Sequence, residues 1–183
     1  RFKKNLVQYV CDHYDHFNYS NSIKSSNMFW LERSILEKDL ELVLKIKGYV
    51  NKIPGANIFK EKQTQCMILN QLFDLFPKEF NFHPMSFCLP RDLDSLKEEI
   101  KSNKNQLKIA KPSEGGGGGG IFVFKTLRDL TGTVCESESV VQNYISNPLL
   151  INNKKWDMRI YVLIHGVSPM KAYLASEGLA RFC

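Results

Sequence analysis

The chain predicts an α+β fold, with mixed and antiparallel sheets flanked by helices. Three observations carry that expectation. Residues 107–125, LKIAKPSEGGGGGGIFVFK, read as a strand (Leu107, Ile109, Ala110), Lys111-Pro112, six consecutive glycines and a second strand, Ile121-Phe122-Val123-Phe124. Amphipathic helical patterns precede this stretch, and β-rich runs with a turn signal follow it.

The glycine loop is the centre of the pattern. Glycine lets main-chain N–H groups come close to a ligand, and consecutive N–H groups form a concavity for an anion. Lys111 adds a positive charge at the strand end, so phosphate suits the loop. A P-loop does not fit, because that motif ends in Gly-Lys-Ser/Thr and opens a helix. Here Gly120 runs into Ile-Phe-Val-Phe. A low-complexity linker is the plain alternative, but the apolar strands at both ends argue against it.

The 183 residues suffice for one domain or two small ones, and 43% hydrophobic with 11% aromatic content supports a core. Cys11, Cys66, Cys88, Cys135 and Cys183 are scattered without a CxxC pair. That pattern favours reduced intracellular thiols over a disulfide framework or zinc site. No apolar run is long enough to span a bilayer, and RFKKN does not open a signal peptide, so no membrane partner is expected. The net charge of +6 points to an anionic partner. Nucleic acid is not expected, since the basic residues are not interleaved with stacking aromatics on one surface. The sequence starts without Met and stops just after a strand pattern, from which both ends are expected to be cut.

Residues 1–27 read as polar and aromatic, with NYSNSIKSSN as loop. His13 and His16 make a His-x-x-His pair with no further ligand nearby, a weak basis for a metal. Residues 28–47 predict one helix, from Leu31, Ile35, Leu36, Leu40, Val43, Leu44 and Ile46, with Gly48 as its stop. Asn51-Lys52-Ile53-Pro54-Gly55 is a turn. Residues 60–76 predict a second helix, with Cys66, Ile68, Leu69, Leu72, Phe73 and Phe76 on one broad face. By spacing alone, Lys60 and Lys62 are a solvated helix start. Residues 80–90 are extended between prolines, and Leu93, Leu96 and Ile100 mark a short helix.

Beyond the glycine loop, residues 127–130 form a turn or short helix, SVVQNYI at 139–145 is a strand, and Asn147-Pro148 breaks it. Two strand runs then join around 166–169. On the first, alternation puts Trp156, Met158, Ile160 and Val162 on a core face, and Lys155, Asp157, Arg159 and Tyr161 on the other. Three charges on one face are costly to bury unless paired or ligand-bound. The strand is therefore either ligand-facing or a surface ladder in which Asp157 neutralises its basic neighbours. Glu177 and Arg181 follow where the second run ends.

With these residues in view, KIAKPSEGGGGGGIFV, VVQNYISNPLLINNKKWDMRIYVLI and YLASEGLARF resemble the tubulin tyrosine ligase-like enzymes. NKIPGANIFKEK and FPKEFNFHPMSFCLPRD resemble the same family more weakly. These are ATP-grasp ligases that add amino acids to tubulin and related proteins. Where the family loop usually carries polar and basic side chains, this chain has Gly116, Gly117 and Gly119.

The resemblance implies an ATP-grasp division: an N-terminal region at 1–57, a central domain at 58–145 and the start of a carboxy-terminal domain at 146–183. It implies ATP and Mg²⁺ as cofactors. Lys62 and Lys111 would meet phosphate, as would the loop at Gly115, Gly118 and Gly120. Gln142, Asn143, Tyr144 and Ile145 would form the adenine hinge, with main-chain groups of Asn143 and Ile145 on the base edge. Lys155, Asp157 and Arg159 match a K-x-D-x-R strand facing ATP and the acyl-phosphate. Arg181 would hold the incoming amino acid. Its setting is most like the glutamate-adding branch, which implies free glutamate as substrate and acidic tubulin tails of microtubules as acceptor. Glycine-adding, tyrosine-adding and non-catalytic readings are the alternatives. The compartment implied is the cytoplasm and cytoskeleton, including cilium, flagellum or basal body. The family's metal ligands would lie beyond Cys183, so these residues alone are expected to bind nucleotide weakly without turnover.

Overall fold

The computed structural model of the chain describes residues 2–20, 25–32, 35–114, 117–130 and 137–182. Gly115, in the predicted phosphate loop, lies outside the described residues. The chain divides into two compact units, 1–65 and 66–183.

The first unit opens with helix α1 (Phe2–His13), where the sequence reading had only a polar stretch. Local polar bonds hold its exposed face: Gln8 Nε2 donates to Asp12 Oδ1, and His13 stacks on Tyr9 with ring centroids 3.8 Å apart. Strand β1 (Met28–Phe29) pairs in parallel with β2 (Tyr49–Val50), and helix α2 (Glu37–Lys45) lies between them in sequence. The single helix expected over 28–47 is thus corrected to a strand and a shorter helix. Asn51 explains the change. Its side-chain amide accepts from Leu31 N–H at 2.7 Å and donates to Leu31 C=O, which holds that residue extended. Helix α2 starts where the Asp39 carboxylate accepts the Leu36 N–H, a capping contact that suits the helix dipole. A short 3₁₀ turn, Ala56–Lys60, leads to α3 (Lys62–Leu75), which agrees with the expected second helix.

The second unit is built on a four-stranded antiparallel sheet, ordered β3 (Ser86–Leu89), β6 (Ser139–Asn143), β4 (Lys108–Pro112), β5 (Phe122–Phe124). Helix α4 (Leu93–Ser102) covers one face. Its Leu96 and Ile100 enter a cluster with Phe87, Leu89, Ala110, Phe124 and Val141. Each such fully buried large side chain contributes about 1.5–3 kcal/mol. Asp92 joins strand to helix: its carboxylate accepts the Cys88 N–H, and its own N–H donates to the Cys88 carbonyl. On the opposite face Cys66 of α3 packs with Cys88 and Val140. Burial pushes both thiols up, away from the reactive thiolate.

The carboxy-terminal strands are smaller. β7 (Leu150–Ile151) turns at Asn152-Asn153, both with positive φ, into β8 (Lys154–Arg159). Asparagine tolerates that conformation, which two-residue hairpins favour. β11 (Leu179–Phe182) pairs with the other edge of β8. β9 (Val162–Val167) and β10 (Met170–Leu174) form the expected hairpin around Pro169. The first of the two strand runs, read as continuous over INNKKWDMRIYVLIHG, is corrected here. It turns at 152–153 and breaks at Ile160-Tyr161, so Val162 belongs to a different sheet from Trp156. The face read as core is also corrected, since Met158, Ile160 and Val162 are each more than half exposed. No helix among the described residues is long and apolar enough to cross a membrane.

Candidate functional site

Period-2 alternation sorts the central sheet into two faces. Lys108 and Ala110 face α4, while Ile109 and Lys111 face the other way. Lys111 is the last lysine before the glycine loop. Its Nζ donates to Gln142 Oε1 at 2.6 Å, so two predicted site residues meet on adjacent strands. Pro112 fits the strand end because β5 pairs only as far as Ala110, and its missing N–H therefore breaks no ladder bond. The loop returns at Gly120, with φ of +70°, where a Cβ would lie 2.8 Å from Pro112 Cγ. Only glycine allows both that backbone and that approach. Gly118, also at positive φ, turns the chain so that its carbonyl accepts the Ile121 N–H.

The hinge residues continue β6. Asn143 N–H donates to Met85 C=O on the β3 side, and Tyr144 N–H donates to Leu107 C=O on the β4 side. Gln106 Nε2 reaches both Leu107 C=O and Tyr144 C=O, which fixes Tyr144 to β4. Odd-numbered main-chain groups therefore turn toward β3, whose ladder stops at Ser86. The Asn143 carbonyl shares that side of the strand, and the Ile145 amide follows two residues on.

The K-x-D-x-R strand lies next. Lys155 Nζ donates to Tyr144 Oη at 2.9 Å and sits 4.6 Å from the ring centroid, joining β8 to the hinge. Register sets Arg181 opposite Asp157. The pair is bidentate, Nε to Oδ1 at 2.6 Å and Nη2 to Oδ2 at 2.9 Å, and about half exposed. This corrects the sequence reading of Arg181 as lying beyond a strand end: it is in β11. Asp157 neutralises Arg181 across the ladder, whereas the surface-ladder alternative read from the sequence paired it with Lys155 and Arg159. Gly178 makes the approach of β11 possible, since a Cβ there would lie 2.5 Å from the Arg159 carbonyl oxygen. Arg159 and Glu177 line a cleft with Trp156 and Met158. Trp156 Nε1 is buried in this region with no hydrogen-bond partner among the described residues. Lys62 belongs to the first unit, at the start of α3, and its expected role rests on the resemblance. Among the described residues no three His, Cys, Asp or Glu side chains cluster as metal ligands would.

Comparison with known proteins fits this arrangement. Residues 44–183, which include every candidate site residue, match the tubulin-tyrosine ligase family. The chain belongs to the tubulin-tyrosine ligase family. Among its relatives in that family, Tubulin polyglutamylase TTLL6 of Homo sapiens is 34% identical over 157 residues, 85% of this chain and 17% of that protein. Tubulin polyglutamylase TTLL11 of Mus musculus is 36% identical over 165 residues, 86% of this chain and 22% of that protein. Tubulin polyglutamylase ttll-11 of Caenorhabditis elegans is 31% identical over 163 residues, covering 86% and 23%. The tubulin-tyrosine ligase family chain thus spans about a fifth of the length of these relatives.

Sequence reasoning missed four residues of this family member that the structure ties to the site. Lys108 is fully buried and donates to Glu99 Oε1 at 2.9 Å and to Asn143 Oδ1 at 2.5 Å. Its signal was present, because a lysine sharing a face with Ala110 in an otherwise apolar strand must have a buried partner. His83 and Ser86 stand next to Gln142. No spacing in FNFHPMSFCLP marks them, since their contact depends on how β3 registers with β6.

Proposed function

We propose that this chain carries the nucleotide-binding part of an ATP-grasp protein–glutamate ligase, a polyglutamylase for the acidic tails of tubulin. The observation that carries the reading is the run of groups along β4, β6, β8 and β11. Lys111 stands at the glycine loop, an acceptor and a donor stand at the hinge edge, and a carboxylate-oriented arginine stands beyond them. Relatives named as tubulin polyglutamylases support the glutamate branch.

ATP, when bound, supplies the phosphoryl group that activates a γ-carboxylate of the acceptor. Lys111 and the glycine-loop N–H groups bind phosphate oxygens, since phosphoryl transfer depends on positioning and positive charge. The Asn143 carbonyl and the Ile145 amide read the base edge. Lys155, braced on Tyr144, and Arg159 place positive charge on the same strand as Asp157. Asp157 grips two donors of Arg181, which fixes the plane in which that guanidinium meets the carboxylate of free glutamate. The net charge of +6 suits an acidic tubulin tail and a place on the cytoskeleton. Among the described residues no three His, Cys, Asp or Glu side chains form a set suited to Mg²⁺.

The test is incorporation of labelled glutamate into tubulin by the full-length protein with ATP. Wild type should incorporate glutamate. Arg181→Ala should abolish transfer while keeping ATP affinity within about twofold, because the guanidinium is assigned to the amino acid alone. Incorporation of glycine in place of glutamate by the wild type would sink the glutamate reading.

A further inference from the structure

Lys111 does not stand alone at the mouth of the loop. Gln142 Nε2 lies 2.8 Å from Ser86 Oγ, His83 Nε2 lies 2.9 Å from the same oxygen, and Ser86 Oγ lies 2.6 Å from the Pro84 carbonyl. Donor counting orders this network. An ammonium only donates, so Gln142 must present Oε1 to Lys111, and its NH₂ group therefore faces Ser86. A carbonyl only accepts, so the single Ser86 hydroxyl hydrogen goes to Pro84. The Ser86 oxygen then accepts from both Gln142 and His83. His83 must therefore carry its hydrogen on Nε2. The 3.4 Å approach of His83 Nε2 to Gln142 Nε2 is then a contact of two donors rather than a bond.

We propose that His83 is a positioning residue for Lys111: through Ser86 it fixes the amide orientation of Gln142, and Gln142 fixes where the Lys111 ammonium stands. This rests on the reading of Lys111 as the phosphate ligand. Were the Gln142 amide reversed, its NH₂ would face an ammonium and its oxygen would meet the Ser86 lone pairs. Both contacts are repulsive, so the network has one stable arrangement. An ammonium carries three donors, so the bond to Gln142 is compatible with bonds to phosphate oxygens. Burial and the Lys111 charge hold the His83 imidazole below the usual histidine range. The donor count requires hydrogen on Nε2, and the lowered pKa favours the ring that is otherwise neutral.

The test uses ATP as probe on the full-length protein, with wild type, His83→Leu, His83→Gln and Lys111→Met. His83→Leu should weaken ATP binding by about fivefold to tenfold, the loss expected when one hydrogen bond stops orienting a charged ligand group. His83→Gln places an amide N–H near the position of Nε2–H and should restore affinity to within about twofold of wild type. Nitrogen NMR of the imidazoles should show His83 with hydrogen on Nε2. In Lys111→Met the His83 pKa should rise, because a repelling charge is gone. Unchanged ATP affinity in a folded His83→Leu overturns the proposal, as does failed rescue by folded His83→Gln. Hydrogen on Nδ1, or a His83 titration indifferent to Lys111→Met, also overturns it. Absence of ATP binding by the wild type overturns the nucleotide reading together with this inference. ATP binding lost in Lys111→Met but kept in His83→Leu overturns the positioning role alone.

Discussion

Lys108–Glu99 and Arg181–Asp157 have similar lengths, 2.9 Å and 2.6 Å, and opposite surroundings. The first pair joins the four-stranded sheet to α4, with Lys108 fully buried and the Glu99 side chain 16% exposed. The second crosses β8 and β11, with side chains 54% and 55% exposed. A charge shut in beside Phe87 and Asn143 must keep its partner. A charge in water loses little when its partner goes. The central sheet therefore uses its ion pair to set structure, whereas the carboxy-terminal strands leave theirs accessible to a ligand.

The comparison breaks most sharply at Lys108. Lys108→Met should destabilise the fold by about 3–5 kcal/mol, since it strands Glu99 and Asn143 in a dry site. Urea unfolding followed by circular dichroism measures it. A loss under 1 kcal/mol would mean that water reaches the site and that the two regions are alike.

Lys111, on the same strand but the opposite face, should show the reverse pattern. Lys111→Ala should leave folding nearly unchanged and cost about 1.5–3 kcal/mol in ATP binding, the range for hydrogen bonds to charged groups. Titration calorimetry would report it. An unaltered ATP affinity with the fold intact would remove Lys111 from the phosphate site.

Acid sharpens the same contrast. Burial pushes the Glu99 carboxyl up, but the bonds from Lys108 and Asn103 outweigh it and leave its pKa below the ordinary 4.5. A depressed carboxyl stabilises the fold above its unfolded pKa, and that contribution is lost as pH falls through the lower folded value. Wild-type stability should therefore drop below about pH 4.5, and Glu99→Gln should flatten that part of the pH profile. An equally steep profile in the mutant would place the acid sensitivity elsewhere.

The smallest effect belongs to the exposed pair. Asp157→Asn should change stability by about 0.2–1 kcal/mol at most, and less in high salt. A larger loss would mean that β8 and β11 depend on this pair as the central sheet depends on Lys108.

What could be read from the sequence follows from which forces act locally. The helices at 62–75 and 93–102 carry their apolar faces in their own spacing, and the strands beside the glycine loop carry theirs in β-branched and aromatic content. Residues 28–36 misled because their apolar spacing suits a helix, yet a side chain twenty residues away holds Leu31 extended. The break at Ile160-Tyr161 was hidden because apolar residues continue through it. At the site, Lys111 and Gln142 were legible as types, but their hydrogen bond was not, because it depends on strand register. The same holds for Arg181, whose partner Asp157 lies 24 residues earlier and is chosen by the pairing of β11 with β8.

The packing of Gly120 on Pro112 changes what the glycines between them are. A polyglycine run anchored at one end is a tether, and most of its entropy is lost when it settles on a ligand. This run is pinned at both feet by a contact between Pro112 and Gly120, so folding has already met the cost of closing the ring. Lengthening the ring by inserted glycines would therefore weaken anion binding only gradually, about 0.6 kcal/mol for each doubling of its length. A bulky residue in place of Gly120 would unfasten one foot and return the ring to a tether.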